Sequence, residues 1–326
     1  MTALEYSRVG FIGLGAMGKP MVEQLAAKLP AHAHVYVHDV VQASIDELVA
    51  KFAGKVIACR SAREVAESSE VIITMVPEGA HVRSVYLAEP NGICSIDLQD
   101  RILIDCSTID TATNLAVKQR ITDSHGRASF YDAPVSGGTL GAQKGTIAFF
   151  LGCADEDPKF AMLSSLLRLM GKQVIACGGA SLGLASKLCN NYLSGLIAIA
   201  SAEALSTGIK AGLDPRVLSR VFAAGTAQNA ICDRFNPCPG VVADAPSSSG
   251  YRGGFKVQLM KKDFALAVDL AGSVGARLVL GDVGLRTYES AAEDPRCRDL
   301  DSRVVFRLLG GDEKWEERLA QQNGQN

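Results

Sequence analysis

The sequence predicts an α/β protein, with a doubly wound parallel sheet in its N-terminal half and an all-helical C-terminal domain, joined by a long helix. Three observations predict it. Short, almost wholly apolar runs alternate with helix-like segments through the first half, as in a parallel sheet buried on both faces. A long, proline-free apolar stretch follows a glycine cluster at Gly178, Gly179 and Gly183. Beyond it, helix-like segments succeed one another without a strand pattern between them.

The elements follow in order. Residues 9–12 read as a strand, 18–29 as a helix and 35–37 as a second strand; 44–51 is helical, 56–58 extended and 63–68 helical again. The run 71–76 is apolar apart from Thr74 and is stopped by Pro77, and 102–105 resembles it. Residues 184–210 then form one long, mostly apolar helix, followed by helices over 215–224, 255–271 and 284–292. The segment 236–254 is rich in Pro, Ser and Gly and reads as loop. These elements set a first domain at 1–180, a helical domain at 181–315 that could close over the first, and a frayed tail at 316–326.

At 326 residues the chain has room for two domains. With 48% hydrophobic and 21% charged residues it can bury a full core. A net charge of −2 offers no basic footprint for nucleic acid and weakly disfavours a heavily phosphorylated substrate. The nine cysteines are odd in number, irregularly spaced and free of any CxxC pair, which suits reduced, buried thiols in a reducing compartment. No stretch approaches the ~18 unbroken apolar residues of a membrane span. The first strand begins at residue 9, leaving no room for a targeting segment, so the cytoplasm is the default and the mitochondrial matrix the alternative if a presequence has been removed.

The first strand runs directly into Gly13-Leu14-Gly15-Ala16-Met17-Gly18. A GxGxxG run alone is weak evidence. Here a strand precedes it, a helix follows, and Asp39 ends the next strand 21 residues after Gly18. In that setting Gly13 permits the tight turn, Gly15 lets a pyrophosphate approach the backbone, and Gly18 lets helix and strand pack closely, with the helix N-terminus facing the phosphates. This is the Rossmann pattern. Asp39 can accept hydrogen bonds from the adenosine ribose and repels a 2′-phosphate, and no arginine follows it in Val40-Val41-Gln42, so the expected cofactor is NAD rather than NADP. Thr74-Met75-Val76-Pro77 and Asp105-Cys106-Ser107-Thr108 end two further strands at the edge where such sheets bind ligands, though ordinary turn chemistry explains them equally well.

Ser136-Gly137-Gly138 offers a hydroxyl and unshielded backbone N–H groups that can hold a carboxylate; standing alone it reads as a glycine-rich turn. Lys187, Asn190 and Asn191 stand at i, i+3 and i+4 on the long helix and share one face amid apolar and small neighbours. A buried ammonium must lower its pKa or bind an anion, and either outcome suits a general acid–base; the competing explanation is a lysine snorkelling at a helix edge. Lys262-Asp263 reads by default as a surface pair, and Cys189 as packing rather than nucleophile. His32, His34 and His38 could share a strand face but lack acidic or cysteine co-ligands, so no metal is expected.

In order and spacing, GFIGLGAMGKPM (10–21), DCSTID (105–110), DAPVSGG (132–138), KLCNN (187–191), NPCPG (236–240) and LMKKDFALA (259–267) resemble the β-hydroxyacid dehydrogenase superfamily, and most closely its 3-hydroxyisobutyrate branch. The KxxNN form differs from the His-Asn pair of 6-phosphogluconate dehydrogenases. The resemblance implies that Lys187 is the general acid–base, that Asn191 and Asn190 orient substrate, and that Ser136, Gly137 and Gly138 bind its carboxylate. It further implies that Met75, Val76 and Pro77 line the cofactor, Thr108 lies by the nicotinamide, and Lys262 reaches the cofactor from the helical domain. The implied reaction oxidises 3-hydroxyisobutyrate with NAD to methylmalonate semialdehyde, a step of valine catabolism, in a homodimer or homotetramer with a small-molecule substrate and no nucleic-acid or membrane partner. Two departures concern specificity: His81 stands where the family often has Asn, and Ala230 where the branch has Trp, which would enlarge the substrate pocket. A bulkier β-hydroxyacid or a semialdehyde is therefore the alternative substrate. NADPH-dependent semialdehyde reductases carry Asn-Arg where this chain has His38-Asp39, and imine reductases replace the lysine. A non-catalytic cofactor-binding protein would have no need to keep Lys187, Asn191 and Ser136 together.

Overall fold

A computed structural model describes residues 7–323. They divide into two compact units, one ending at Lys187 and the other beginning at Leu188.

In the first unit the chain runs β1 (Arg8–Ile12), α1 (Gly18–Lys28), β2 (His34–His38), α2 (Gln42–Lys51), β3 (Val56–Ala58), α3 (Ala62–Ser68), β4 (Val71–Thr74), α4 (Gly79–Leu87), β5 (Ile102–Asp105), α5 (Thr111–Ser124) and β6 (Ser129–Asp132). The six strands form one sheet in the order β3-β2-β1-β4-β5-β6, every neighbouring pair parallel. The order reverses between β1 and β4, which is where open α/β sheets leave a crevice for ligands. Both faces are covered. Val71, Ile73, Ile102 and Ile104 pack with Met21 and Leu25 on one side. Ile72 and Leu103 pack with Val65, Val82, Tyr86 and Val117 on the other. Burial on both faces is the reason these strands read as continuous apolar runs, each fully buried Val, Ile or Leu contributing about 1.5–3 kcal/mol.

A second, three-stranded sheet follows: β7 (Val135–Ser136), then α6 (Gly138–Lys144), β8 (Ile147–Leu151), α7 (Phe160–Leu167) and β9 (Gly171–Ala176). Strand β7 pairs antiparallel with β8, and β8 parallel with β9. The sequence reading does not foresee this sheet; one of its strands has only two residues, although Gly145, Gly152 and Gly171 bound the other two.

Helix α8 (Leu182–Lys210) spans 29 residues and crosses the division between the units. By length and composition it is apolar enough to cross a membrane, but half of its most apolar window is buried within the protein. The second unit continues with α9 (Pro215–Ala224), α10 (Ala230–Arg234), α11 (Val257–Ser273), α12 (Gly281–Glu293), α13 (Val305–Leu308) and α14 (Trp315–Asn323). Its core gathers Phe264, Tyr288, Tyr251, Phe306 and Trp315. A Cβ added at Gly284 would run into the Phe264 ring and one at Gly195 would sit 3.1 Å from it, so α12 and α8 both approach α11 closely. Helix α14 covers most of the stretch 316–326, and Trp315 at its start is buried and donates its indole N–H to the Pro239 carbonyl at 2.9 Å. Residues 324–326 lie outside the described residues.

Candidate active site

The C-terminal ends of the parallel strands are in register: His38, Ile12, Thr74, Asp105 and Asp132 form the last row of the sheet. The residues that follow them carry most of the chemistry read from the sequence. Gly13 adopts φ +97° and donates its N–H to the His38 carbonyl at 3.0 Å. A side chain there would collide with the Met75 carbonyl, and one at Gly18 with the Gly13 carbonyl, so the turn, the start of α1 and the end of β4 are mutually close. A methyl group added at Gly15 would meet nothing within 4 Å. Gly15 and Ala16 are exposed and Met17 half-buried, leaving an open cradle at the N-terminus of α1.

Asp39 closes the other side of that loop. One carboxylate oxygen accepts the Leu14 N–H at 2.5 Å and the other the Val41 N–H at 2.7 Å. A carboxylate offers about four acceptor positions, so each oxygen keeps one for a ribose hydroxyl. The loop and Asp39 thus fit a dinucleotide: open backbone for the pyrophosphate, an acid for the ribose. His38 turns its Nδ1 to the Cys59 carbonyl at 3.0 Å. Among the described residues no group of three His, Cys, Asp or Glu is arranged to hold a metal ion.

The ends of β4 and β5 are tied together. Ser107 Oγ accepts the Val76 N–H at 2.9 Å, Asp105 accepts the Ser107 N–H at 3.1 Å and the Thr74 hydroxyl at 2.8 Å, and Tyr86 completes the network through Thr74 at 3.1 Å. The network ties Val76 to Ser107, with Met75 and Pro77 flanking the first and half-buried Thr108 following the second. Burial pushes the Asp105 carboxyl up to about 6 against the pull of its Ser107 and Thr74 bonds, with Asp132 adding a like charge.

Ser136 ends β7 half-buried; Gly137 and Gly138 follow at the start of α6 with φ of +134° and +64°. Lys187 lies in the second turn of α8 and is 7% exposed. One turn on, Asn191 is buried while Asn190 is exposed and donates to Asn191 Oδ1 at 3.1 Å. Asn191 in turn donates to Asp263 Oδ2 at 2.6 Å, and Asp263 Oδ1 lies 3.3 Å from the Lys262 ammonium. The surface-pair reading of Lys262-Asp263 is therefore corrected: Asp263 is buried on α11 and connects Lys262 to Asn191. Cys189 also departs from expectation, being exposed rather than packed. Of the departures from the family pattern, His81 is exposed on α4 and Ala230 is exposed at the start of α10.

Sequence reasoning passes over Asp105, Asp132, Ser107 and Asp263 as functional groups. All four lie inside quoted motifs, and an acid ending a strand is the signal that could have flagged Asp105 and Asp132.

A parallel sheet with this strand order, a glycine turn at its switch point and an acid after the second strand define an NAD-binding protein of the Rossmann class. Comparison with known proteins agrees: residues 8–179 match the family described as the NAD binding domain of 6-phosphogluconate dehydrogenase. Residues 181–309 match the family described as the NAD-binding region of NADP-dependent 3-hydroxyisobutyrate dehydrogenase. The chain is 40% identical, over 88% of its length and 86% of the relative's, to a mitochondrial Dictyostelium discoideum protein described as a probable 3-hydroxyisobutyrate dehydrogenase. It is 36% identical to an NAD-dependent L-serine dehydrogenase of Pseudomonas aeruginosa, over 86% of its length and 91% of the relative's. The Mycobacterium tuberculosis 3-hydroxyisobutyrate dehydrogenase, solved with L-serine, superposes with a TM-score of 0.82 at 32% identity, covering 92% of this chain and 98% of that one. The chain belongs to the 3-hydroxyisobutyrate dehydrogenase family of NAD-binding oxidoreductases.

Proposed function

We propose that this enzyme oxidises 3-hydroxyisobutyrate to methylmalonate semialdehyde with NAD, and that Lys187 is its general acid–base. The observation that carries the proposal is a buried lysine followed one turn later by a buried asparagine on α8, in a chain whose glycine turn and Asp39 suit NAD. NAD held by the Gly13–Gly18 turn and Asp39 would supply the acceptor for the hydride of the carbinol carbon. Lys187, as the neutral amine, takes the hydroxyl proton as that hydride departs and returns it in the reverse reaction. Asn191, held by Asp263, orients the hydroxyl, and exposed Asn190 supports it. Ser136 and the N–H groups of Gly137 and Gly138 hold the substrate carboxylate, an arrangement that suits backbone donors at a glycine turn. Leu14, Ala16, Met75, Val76, Pro77 and Thr108 line the cofactor, and Lys262 serves it from the helical unit. The first 180 residues act as the NAD domain, and 181–315 as the substrate and dimerisation domain.

The second reading is oxidation of a related β-hydroxyacid. It is favoured by Ala230, which stands where the branch has Trp, and by the serine named for two of the relatives. We place the enzyme in the branched-chain amino acid catabolism of a reducing compartment. That compartment is the cytosol or, as the name of the Dictyostelium relative states for that protein, the mitochondrion. We expect a homodimer or homotetramer with a small hydroxyacid as its only partner.

The test is NADH formation by the purified enzyme across 3-hydroxyisobutyrate, 3-hydroxypropionate, serine and larger β-hydroxyacids, with Lys187→Ala beside it. Turnover of 3-hydroxyisobutyrate with the highest kcat/KM supports the first reading, and a higher value for serine or a larger acid supports the second. No turnover of any of them with NAD or NADP refutes both.

A further inference from the structure

The acid that ends the sheet is bonded to the helix that carries the lysine. Asp132 terminates β6 and is 1% exposed. Its Oδ1 accepts the Ser181 N–H at 2.8 Å, and its Oδ2 accepts the Leu184 N–H at 2.8 Å. These donors stand just before α8 and in its first turn, where the free N–H groups need acceptors from outside the helix. The cap therefore arrives from a strand 49 residues earlier in the chain. The carboxylate has no room to move: a side-chain atom at Gly152 would overlap its Oδ1, and one at Gly183 would sit 2.7 Å from its Oδ2. Ser181 adopts φ +61°, unusual for a residue with a side chain, and its hydroxyl donates to Asn114 Oδ1 at 2.8 Å. The start of α8 is thus pinned to β6 and to α5 together.

Lys187 follows Leu184 by three residues, a rise of about 4.5 Å along the helix axis. A fixed anion at the positive end of a helix dipole also acts on a cation in the adjoining turn. We propose that Asp132 is a positioning residue for Lys187, setting the height and rotation of the turn that presents the ammonium and sustaining its proton affinity with a buried negative charge. The inference rests on Lys187 being the acid–base of the reaction proposed above.

The test is Asp132→Asn, which keeps the shape and one acceptor oxygen but removes the charge. The expected result is a fall in kcat of about 10- to 100-fold, the scale of a displaced catalytic group, with substrate KM and NADH affinity within about threefold of the unsubstituted enzyme. The acidic limb of kcat against pH moves down by about one unit, because a lysine that loses a nearby anion gives up its proton more readily. In the Lys187→Ala background the same substitution changes the residual rate by less than about twofold, since a residue acting through Lys187 has nothing left to act on.

A second probe, Asp132→Ser, removes the same charge with a smaller side chain that leaves one hydroxyl as acceptor for the Ser181 and Leu184 N–H groups. It should lower kcat at least about tenfold and move the pH limb in the same direction as Asp132→Asn does. A wild-type kcat and pH profile in Asp132→Asn overturns the inference. So does a loss of activity that only parallels a loss of folded protein, or, should Asp132→Asn not fold, a wild-type kcat and pH profile in Asp132→Ser. Failure of the unsubstituted enzyme to turn over any hydroxyacid defeats both proposals; normal turnover with an unaffected Asp132→Asn defeats this one alone.

Discussion

Replacing Asp39 by Asn tests the cofactor assignment most directly. In the folded protein each Asp39 oxygen already accepts one backbone N–H, from Leu14 at 2.5 Å and from Val41 at 2.7 Å. Of about four acceptor positions, two therefore remain for the ribose diol of NAD. Asparagine turns one oxygen into an NH₂ group that cannot accept, so one backbone bond or one ribose bond is lost. A hydrogen bond to a charged group is worth about 1.5–3 kcal/mol, which puts the fall in kcat/KM for NAD at roughly 10- to 100-fold. The effect on NADP runs the other way. At about 4 Å and an effective dielectric of 20, a carboxylate repels each phosphate charge by about 4 kcal/mol, reduced at this half-exposed position by solvent and salt. Even a third of that gives about a tenfold gain for NADP, so the NAD/NADP ratio should fall by about 10²- to 10³-fold. The assay is initial-rate kinetics with both cofactors at saturating hydroxyacid, with thermal denaturation to confirm that the loop remains folded. A ratio within twofold of the unsubstituted enzyme would show that Asp39 does not read the ribose. The description of the helical domain's family mentions NADP, whereas the acid argues for NAD, so the outcome also decides between the two.

Three other perturbations probe the same edge. Lys187→Ala should lower kcat by about 10²- to 10⁴-fold while NADH still binds, measured by fluorescence titration; wild-type kcat would remove the lysine from the chemistry. Gly15→Ala should leave the melting temperature within about 2 °C, because its methyl group meets no protein atom, yet weaken NADH binding at least about tenfold by occupying the pyrophosphate's path; Gly18→Ala should lose both, since its methyl group strikes the Gly13 carbonyl. Unchanged NADH affinity in Gly15→Ala would empty the cradle of meaning. Asp105, raised by burial to about 6 against about 3.9 in the unfolded chain, favours the folded state most at pH below about 4, and that contribution is lost as pH rises through 6. Two units correspond to about 3 kcal/mol, so the difference in urea-unfolding free energy between pH 4 and pH 8 should shrink by about that much in Asp105→Asn; an identical pH dependence in both proteins would show that Asp105 does not titrate there.

The parts of this site that can be read in the sequence are those whose chemistry is local. The glycine turn, the helix after it and Asp39 sit within one βαβ unit, so each spacing reports a constraint satisfied a few residues away. Lys187 stands out for a similar reason: a cation is conspicuous on an apolar helix, and its helical neighbours Asn190 and Asn191 follow from periodicity alone. Asp132 is different. Its partners are Ser181 and Leu184, and nothing in DAPVSGG distinguishes a strand-end acid facing solvent from one capping a distant helix. Asp105 hides in the same way, its role depending on Thr74 one strand away. Asp263 could have been found. On α11 the buried positions Met260, Asp263, Phe264, Ala267 and Ala271 repeat at helical spacing, so the acid lies on the core stripe and its neighbour Lys262 on the stripe's margin. Reading charge adjacency before periodicity makes the pair look like surface. Periodicity is the stronger warrant, because a carboxylate on a buried stripe must have a partner, and here the partners are Asn191 and Lys262. Where the sequence places an acid at a strand end or on a core stripe, the useful question is which donor it serves. In this protein the answers run from Asp263 to Asn191 and from Asp132 to the helix that bears Lys187.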